Sequence, residues 1–496
     1  MDWLERRQAG LLLHPTSLPG RDGVGDLGQT AHRFVDWLAD CGFGLWQILP
    51  LSLPGSDQCP YVAAASLATN PLLIDLEALV EAGLLARHEL PPPASPATRV
   101  DFGAAIAAKH ALVERAAVRL GSDAATVDEW LATRQWALDT AEFLAIKEVQ
   151  GGAPWWTWPE PLARRDAAAL ERFHAEHAAT VRRIAATQWL VDRQWWALRA
   201  HAHQRGVRIV GDLPIYVDRD SADVWAGRAL FQLNRDGTPK VVAGVPPDYF
   251  SALGQLWGNP LYDWARLAET GYAWWIARMR RTLELTDLVR LDHFRAFAAY
   301  WEVPADAPDA RTGRWVEGPG LPFFTALREA LGELPLLAED LGDVDEPVHA
   351  LRDTLGLPGM RVLQFGFDGD YHNLHHPRNC PPNSFCYTGT HDNDTIVGWW
   401  TSLDEETRHS VRVDLSTPGT DIAWEMIDAA MRTASRVCIV PMQDLLGLPS
   451  AARMNTPGVV EGNWRWKLAD LDLPPELSAR VRAVLTASSR LPGSAP

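Results

Sequence analysis

Along the 496 residues, short apolar runs alternate with longer stretches of mixed polarity, and each run ends in polar, Pro or Gly residues. Eight stand out. In order they are GLLLHPTSL from Gly10, LWQILPL from Leu45, RIVGDLPIYV from Arg208, DLVRLDHF from Asp287, PLLAEDLG from Pro335, RVLQFGF from Arg361, SFCYTGTHDNDT from Ser384 and RVCIVPMQDLL from Arg436. Runs that are apolar at consecutive positions predict strands buried on both faces, as in a parallel sheet. Between several of them apolar positions recur with helical spacing: Phe34, Trp37 and Leu38 within 30–41, and Tyr272, Trp275, Ile276 and Met279 within 271–285. Strand–helix alternation predicts parallel strands joined by helical crossovers. Eight such strands predict an α/β fold closed into a (β/α)8 barrel of the triosephosphate-isomerase type.

The spacing of the runs is uneven. The second ends near Pro50 and the third begins near Arg208, and the stretch between is Ala-rich and helical in pattern at 104–120, 127–150 and 162–205. A Pro-rich hinge, LPPPASPA from Leu90, precedes these helices. The expected organisation is a catalytic barrel from residues 1–50 and 207–496, interrupted between strands 2 and 3 by a mainly helical insertion at 51–206. The connection from 218 to 286 is also too long for a plain crossover. Its loop-rich part, 237–260, is expected to roof the active site, with a lid around 244–260.

Composition narrows the class. With 22% charged and 47% hydrophobic residues the chain is globular, and it is long enough to bury a large core without staples. A net charge of −17 and the lack of any basic patch argue against a nucleic-acid surface and are compatible with a neutral ligand. The five cysteines are scattered and form no CxxC pair, so neither a structural zinc nor a disulfide framework is expected, and a reducing compartment fits. MDWLERRQAG has no signal-peptide form, and no window approaches the ~18 apolar residues of a membrane span, so a cytoplasmic location without membrane attachment is expected. The 23 tryptophans include the clusters Trp155-Trp156-Thr157-Trp158, Trp195-Trp196, Trp274-Trp275, Trp399-Trp400 and Trp464-Arg465-Trp466. Flat rings stack on the apolar faces of pyranoses, which leans towards carbohydrate, although most single tryptophans are expected in the core.

In such barrels the reactive side chains sit at the carboxyl ends of strands. The third strand delivers Asp212, the fourth Arg290 and Asp292, the fifth Glu339 followed by Asp340, and the seventh His391 and Asp392. Carboxylates converging from separate strands are costly in a plain core and suit glycoside chemistry, where one attacks the anomeric carbon and another protonates the leaving oxygen. Arg290 and Asp292, two apart on a strand, share a face, so the cation favours the ionised form a nucleophile needs. The plain alternative is an ordinary ion pair. A desolvated Glu339 near other carboxylates keeps its proton longer, as a general acid requires; the alternative is a cap or a surface acid. Asp340 should face away. His391 and Asp392 are placed to bond sugar hydroxyls, with a satisfied core histidine as the alternative for His391.

The chain resembles the amylomaltase family, also called disproportionating enzymes, of the alpha-amylase clan. The matching strings run in family order from GLLLHPTSLPG through WQILPL, NPLLIDLE, GDLPIYV, GVPPDYF, GQLWGNPLY, RLDHFRAF, AEDLG, PGMRVLQFGFDG, YTGTHDNDT and MNTPG to NWRWK, spanning nearly the whole chain. The resemblance implies a 4-alpha-glucanotransferase acting on maltodextrin, starch or glycogen-derived alpha-1,4-glucans by retaining double displacement. It implies Asp292 as nucleophile, Glu339 as general acid/base and Asp392 as transition-state stabiliser. Arg290 would support Asp292, His391 and Asp212 would bind sugar hydroxyls, and Tyr61 would cover the reacting glucose. Tyr249, Phe250 and Trp257 would contact sugar from the lid. Asn463 and Trp464 lie in a matching motif without an assigned role. Against the family pattern, Cys59 stands where Ser is usual, Val62-Ala63-Ala64 replace polar residues, and Leu253 replaces a small hydroxyl residue. An exposed Cys59 would make activity thiol-sensitive.

A hydrolase or branching enzyme on the same barrel, and a non-catalytic glucan-binding protein, remain the alternatives. His372, His375 and His376 crowd after the sixth strand but match no zinc motif and are expected to be a polar loop. No metal or cofactor is expected, nor any nucleic-acid partner, and a monomer or weak dimer is expected.

Overall fold

A computed structural model describes residues 6–120, 124–247, 252–342, 344–459 and 461–492. Eight strands close into a barrel: β1 (Gln8–Leu12), β2 (Leu45–Gln47), β3 (Arg208–Leu213), β4 (Leu288–Leu291), β5 (Leu336–Ala338), β6 (Gly359–Val362), β7 (Ser384–Tyr387) and β8 (Val437–Pro441). Each pairs in parallel with its sequence neighbours, and β8 returns to β1 with Gln8 opposite Val437. Every one of the eight apolar runs supplies one strand. Their continuous apolarity follows from burial on both faces, by barrel interior and helical jacket. Close packing inside the ring is severe at Gly10, where a Cβ would lie 2.5 Å from Ile439 Cδ1 and 2.7 Å from Leu45 Cβ.

The helices form where the periodicity predicts them. Gln29–Cys41 buries Ala31, Phe34, Val35 and Leu38 and ends at Gly42, whose φ of 92° lets its N–H reach back to Leu38 O and Ala39 O. Ala273–Leu285 buries Trp275 and Met279, but also Arg278 and Arg281. Arg278 donates to the carbonyls of Ile215 (3.0 Å) and Pro214 (2.7 Å), and Arg281 pairs with the buried Asp192 at 2.5 Å.

Between β2 and β3 lie a two-stranded hairpin, Ser52–Pro54 with Ala63–Thr69, and the helices Phe102–Leu120, Ala124–Leu131, Gln135–Val149 and Ala167–Gln204. The stretch 127–150 is therefore two helices rather than one. The 38-residue helix is kinked at His177, and its end returns to the barrel, where Trp195 Nε1 donates to Leu285 O at 3.0 Å. A single apolar core contains Leu11, Ile209 and Val289 of the barrel together with Val113, Phe143 and Trp158 of the inserted segment.

The connection from β3 to β4 departs from the expectation of loop. Val241–Val245 and Gln255–Pro260 pair as an antiparallel hairpin, and Ala299–Pro304 and Arg314–Glu317 complete a four-stranded sheet. Two of those strands come from beyond β4, so no local pattern announced the pairing. At the opposite end of the barrel Arg490, 1% exposed, spends all its donors on main-chain carbonyls: Met431, Gln8, Arg436, Thr433 and Ser435, at 2.7–3.3 Å. Among the described residues no helix is long and apolar enough to cross a membrane.

Candidate active site

At the carboxyl ends of the strands the chain gathers its acids. Asp212 on β3 and Arg290 on β4 are register partners. Arg290 Nη1 donates to Asp212 Oδ1 at 2.8 Å and Oδ2 at 2.9 Å, and to Asp292 Oδ1 at 2.9 Å. One guanidinium thus serves two carboxylates. Burial opposes the charge on Arg290, but Asp212 and Asp292 outweigh it and hold the group far above its usual range. Burial raises Asp212, Arg290 offsets part of that, and neighbouring Asp292 adds to the rise. Exposure separates the two acids: the Asp212 side chain is fully buried, whereas that of Asp292 is 27% exposed.

Glu339 follows β5 by one residue. The pairing of Leu337 with Arg290 and Ala338 with Leu291 brings it level with Asp292 on the neighbouring strand. Its Oε2 accepts from His293 N at 2.7 Å and Oε1 from Leu341 N at 3.1 Å. His293 adopts φ 49°, a left-handed conformation uncommon for a residue with a side chain, and this turn aims its N–H at the carboxylate. Burial, reinforced by Asp292 and opposed by Arg290 and the two N–H groups, pushes Glu339 up to about 8.

Asp392 enters from the segment after β7. Its Oδ2 lies 3.4 Å from His391 Nε2, and its Oδ1 accepts from Asn455 Nδ2 at 2.6 Å. Burial pulls it upward, but His391 and Asn455 outweigh that and hold it well below the usual carboxylate range. Tyr61 closes the ring of residues: its hydroxyl donates to Asp212 Oδ2 at 2.7 Å, and its ring stacks on His391 at 5.0 Å and 22°. Trp464 lies against both, at 5.6 and 5.8 Å. The result is one half-open site holding a carboxylate anchored by a cation, a carboxyl that keeps its proton at neutral pH, and a third carboxylate held ionised. That set can both attack a carbon centre and deliver a proton to a departing oxygen.

The family model described as 4-alpha-glucanotransferase (glycoside hydrolase family 77) matches residues 13–472. The chain belongs to this family. It is 45% identical over 500 residues to the 4-alpha-glucanotransferase of Thermus thermophilus, covering 98% of this chain and 99% of that one. The chloroplastic/amyloplastic 4-alpha-glucanotransferase of Arabidopsis thaliana is 44% identical over 497 residues, covering 98% and 86%. Among solved structures, the amylomaltase from Streptococcus agalactiae in complex with acarbose superposes with a TM-score of 0.95 at 35% identity, covering 98% of this chain and all of that one.

For this member of the 4-alpha-glucanotransferase family, the site unites Tyr61, Asp212, Arg290, Asp292, Glu339, His391 and Asp392. Trp257, in the strand Gln255–Pro260, is 38% exposed, and its ring meets that of His293 edge-on at 4.9 Å, beside Glu339. Tyr249 and Phe250 lie outside the described residues. Asp340 turns away and is held by Arg352, Arg361 and Met360 N. His375 Nδ1 accepts from Val362 N at the end of β6 and His376 Nδ1 from Arg378 N, so both serve nearby backbone.

Sequence reasoning gave no role to four contributors: His293, Arg453, Asn455 and Trp464, of which only Trp464 was singled out. Arg453 Nη2 donates to Asp392 O at 2.6 Å, and Asn455 N to His391 O at 3.0 Å. Asn455 lies in the MNTPG string, the one signal available, but its target is 63 positions away.

Proposed function

We propose that the chain is a retaining 4-alpha-glucanotransferase, moving alpha-1,4-glucan segments between maltodextrins through a covalent glycosyl–Asp292 intermediate. The observation that carries this reading is the pairing of Asp292, open to the cleft and bonded to Arg290, with Glu339, pushed up to about 8 on the adjacent strand end. The names of the relatives support it. In the first step an Asp292 oxygen attacks the anomeric carbon, the glycosidic bond breaks, and the Glu339 proton passes to the departing oxygen. In the second, Glu339 takes the proton of an acceptor 4-hydroxyl, whose oxygen displaces Asp292 with net retention. Asp392 stabilises the oxocarbenium-like transition state.

Tyr61 covers the reacting glucose, Asp212 and His391 bind its hydroxyls, Arg290 supports Asp292, and Trp257, in the strand Gln255–Pro260, receives the acceptor. Water competes with the acceptor, so transfer depends on positioning the sugar hydroxyl and excluding solvent. Donor and acceptor are neutral alpha-1,4-glucans, in keeping with a net charge of −17. Five free thiols fit work in the cytoplasm.

The test is the product ladder from maltotriose. Transfer yields glucose together with chains longer than the substrate, hydrolysis only shorter ones, and a binding protein leaves maltotriose unchanged. Asp292→Asn is expected to lower turnover by about a thousandfold or more, as removal of a covalent nucleophile does. A variant keeping a tenth of normal turnover would exclude Asp292 as nucleophile.

A further inference from the structure

The segment 388–396 carries His391 and Asp392 from β7 into the helix Ile396–Ser402, and one buried carboxylate grips both of its ends. Asp444 Oδ2 accepts from Thr388 Oγ1 at 2.8 Å, and Oδ1 accepts from Ile396 N at 2.8 Å. Asp444 is 2% exposed and sits in the single helical turn Met442–Leu445 that follows β8. The residue before it, Gln443, donates from Nε2 to Ala452 O at 3.3 Å. That ties down the second wall of the same seat, since Arg453 and Asn455 bond the Asp392 carbonyl and carboxylate at 2.6 Å each. Both segments that meet at Asp392 are therefore fastened to two consecutive side chains.

The placement is costly. The two partners of Asp444 are neutral donors, and burial, aided by nearby Asp394, pushes the group up to about 7. A leucine would avoid that cost but would leave the Thr388 hydroxyl and the first N–H of a helix unpaired. A pocket of about 20 Å³, room for roughly one water, adjoins, lined by His14, Thr390, His391, Gln443, Asp444 and Arg453, so solvent can reach the segment once it is untethered.

We propose that Asp444 is a positioning residue for the transfer reaction: touching no reacting atom, it sets Asp392 through the 388–396 segment, while Gln443 fixes the opposing wall. This rests on the transferase reading above.

The experiment measures kcat and KM for maltotriose disproportionation in a set of variants. Asp444→Ala cuts both tethers and is expected to lower kcat by about a hundredfold, the cost of misplacing a catalytic group by roughly an ångström. KM should stay within about threefold of wild type, because Tyr61, Asp212 and Arg290 are untouched. Asp444→Asn can still accept from Ile396 N and donate to the Thr388 hydroxyl, so its kcat is expected within about tenfold of wild type. In an Asp392→Asn background, Asp444→Ala should cost less than about a further twofold, since the group it positions is already disabled. Should Asp444→Ala not fold, Thr388→Val removes one tether at nearly constant shape and is expected to lower kcat about five- to tenfold at unchanged KM.

A folded Asp444→Ala enzyme with kcat within about twofold of wild type would overturn the proposal. An Asn variant as slow as the Ala variant would too, since charge rather than position would then matter. So would a full, additive loss in the Asp392→Asn background. A wild type that builds no longer chains from maltotriose overturns both readings at once, whereas an active wild type beside an unaffected Asp444→Ala sinks this one alone.

Discussion

Arg290 and Asp292 lie two residues apart where β4 ends, and Nη1 of the first donates to Oδ1 of the second at 2.9 Å. The same nitrogen holds Asp212, so one truncation strands two carboxylates. Arg290→Ala is expected to lose about 3–5 kcal/mol of stability, the cost of removing one partner from a buried pair, read as a drop in the urea midpoint. Arg290→Lys keeps the charge but not the planar fork, so a folded but slow enzyme is expected.

As the proposed general acid, Glu339 is expected to set the alkaline limit of activity. Burial first, then Asp292, against Arg290, pushes it from the ordinary 4.5 up to about 8. A general acid must carry its proton, so kcat/KM should fall as pH rises through about 8. The same shift governs stability. Between 4.5 and about 8 the native state keeps a proton that the unfolded chain has released. The contribution is therefore complete below 4.5 and lost as pH rises through about 8. Glu339→Gln has no proton to lose, so its stability relative to wild type should increase across that window. Urea midpoints of both proteins at its two ends check the sign.

Asn455 holds Asp392 from outside the barrel strands. A hydrogen bond to a charged group contributes about 1.5–3 kcal/mol. Asn455→Ala is therefore expected to lower kcat by about 10- to 100-fold, with KM little changed. Steady-state kinetics on maltotriose will read the split.

Cys59 departs from its sequence expectation. The residue is only part-exposed, and burial pushes its thiol up to about 12, with Asp57 adding to the rise. The thiolate is the reactive form, so little is available at neutral pH. Iodoacetamide at pH 7.5 is expected to leave activity unchanged over an hour, with mass spectrometry reporting Cys59 unmodified.

What the sequence disclosed and what it hid follow from distance along the chain. The barrel strands were legible because burial on both faces writes a continuous apolar run at each one. Arg290–Asp292, Glu339 and His391–Asp392 were legible because each sits directly at the end of such a run. Asn455 was not, since its partner is 63 positions away and a neutral amide carries no mark of its target. The four-stranded sheet was hidden for the same reason: Val241–Val245 pairs with Ala299–Pro304 across the whole of β4. Arg278 and Arg281 were hidden by their charge, since only the carbonyls and acid that meet them explain their burial in a helix.

Arg490 binds the carbonyl of Gln8, 482 positions earlier, and that of Arg436 just before β8, so one side chain rivets the seam between the first and last strands. During synthesis the ring must stay open along that edge until Val437–Pro441 has been made, and the seam stays unriveted until residue 490 follows. A chain that stops short of β8 leaves the flank of β1 unpaired, an open strand edge of the kind that recruits other chains.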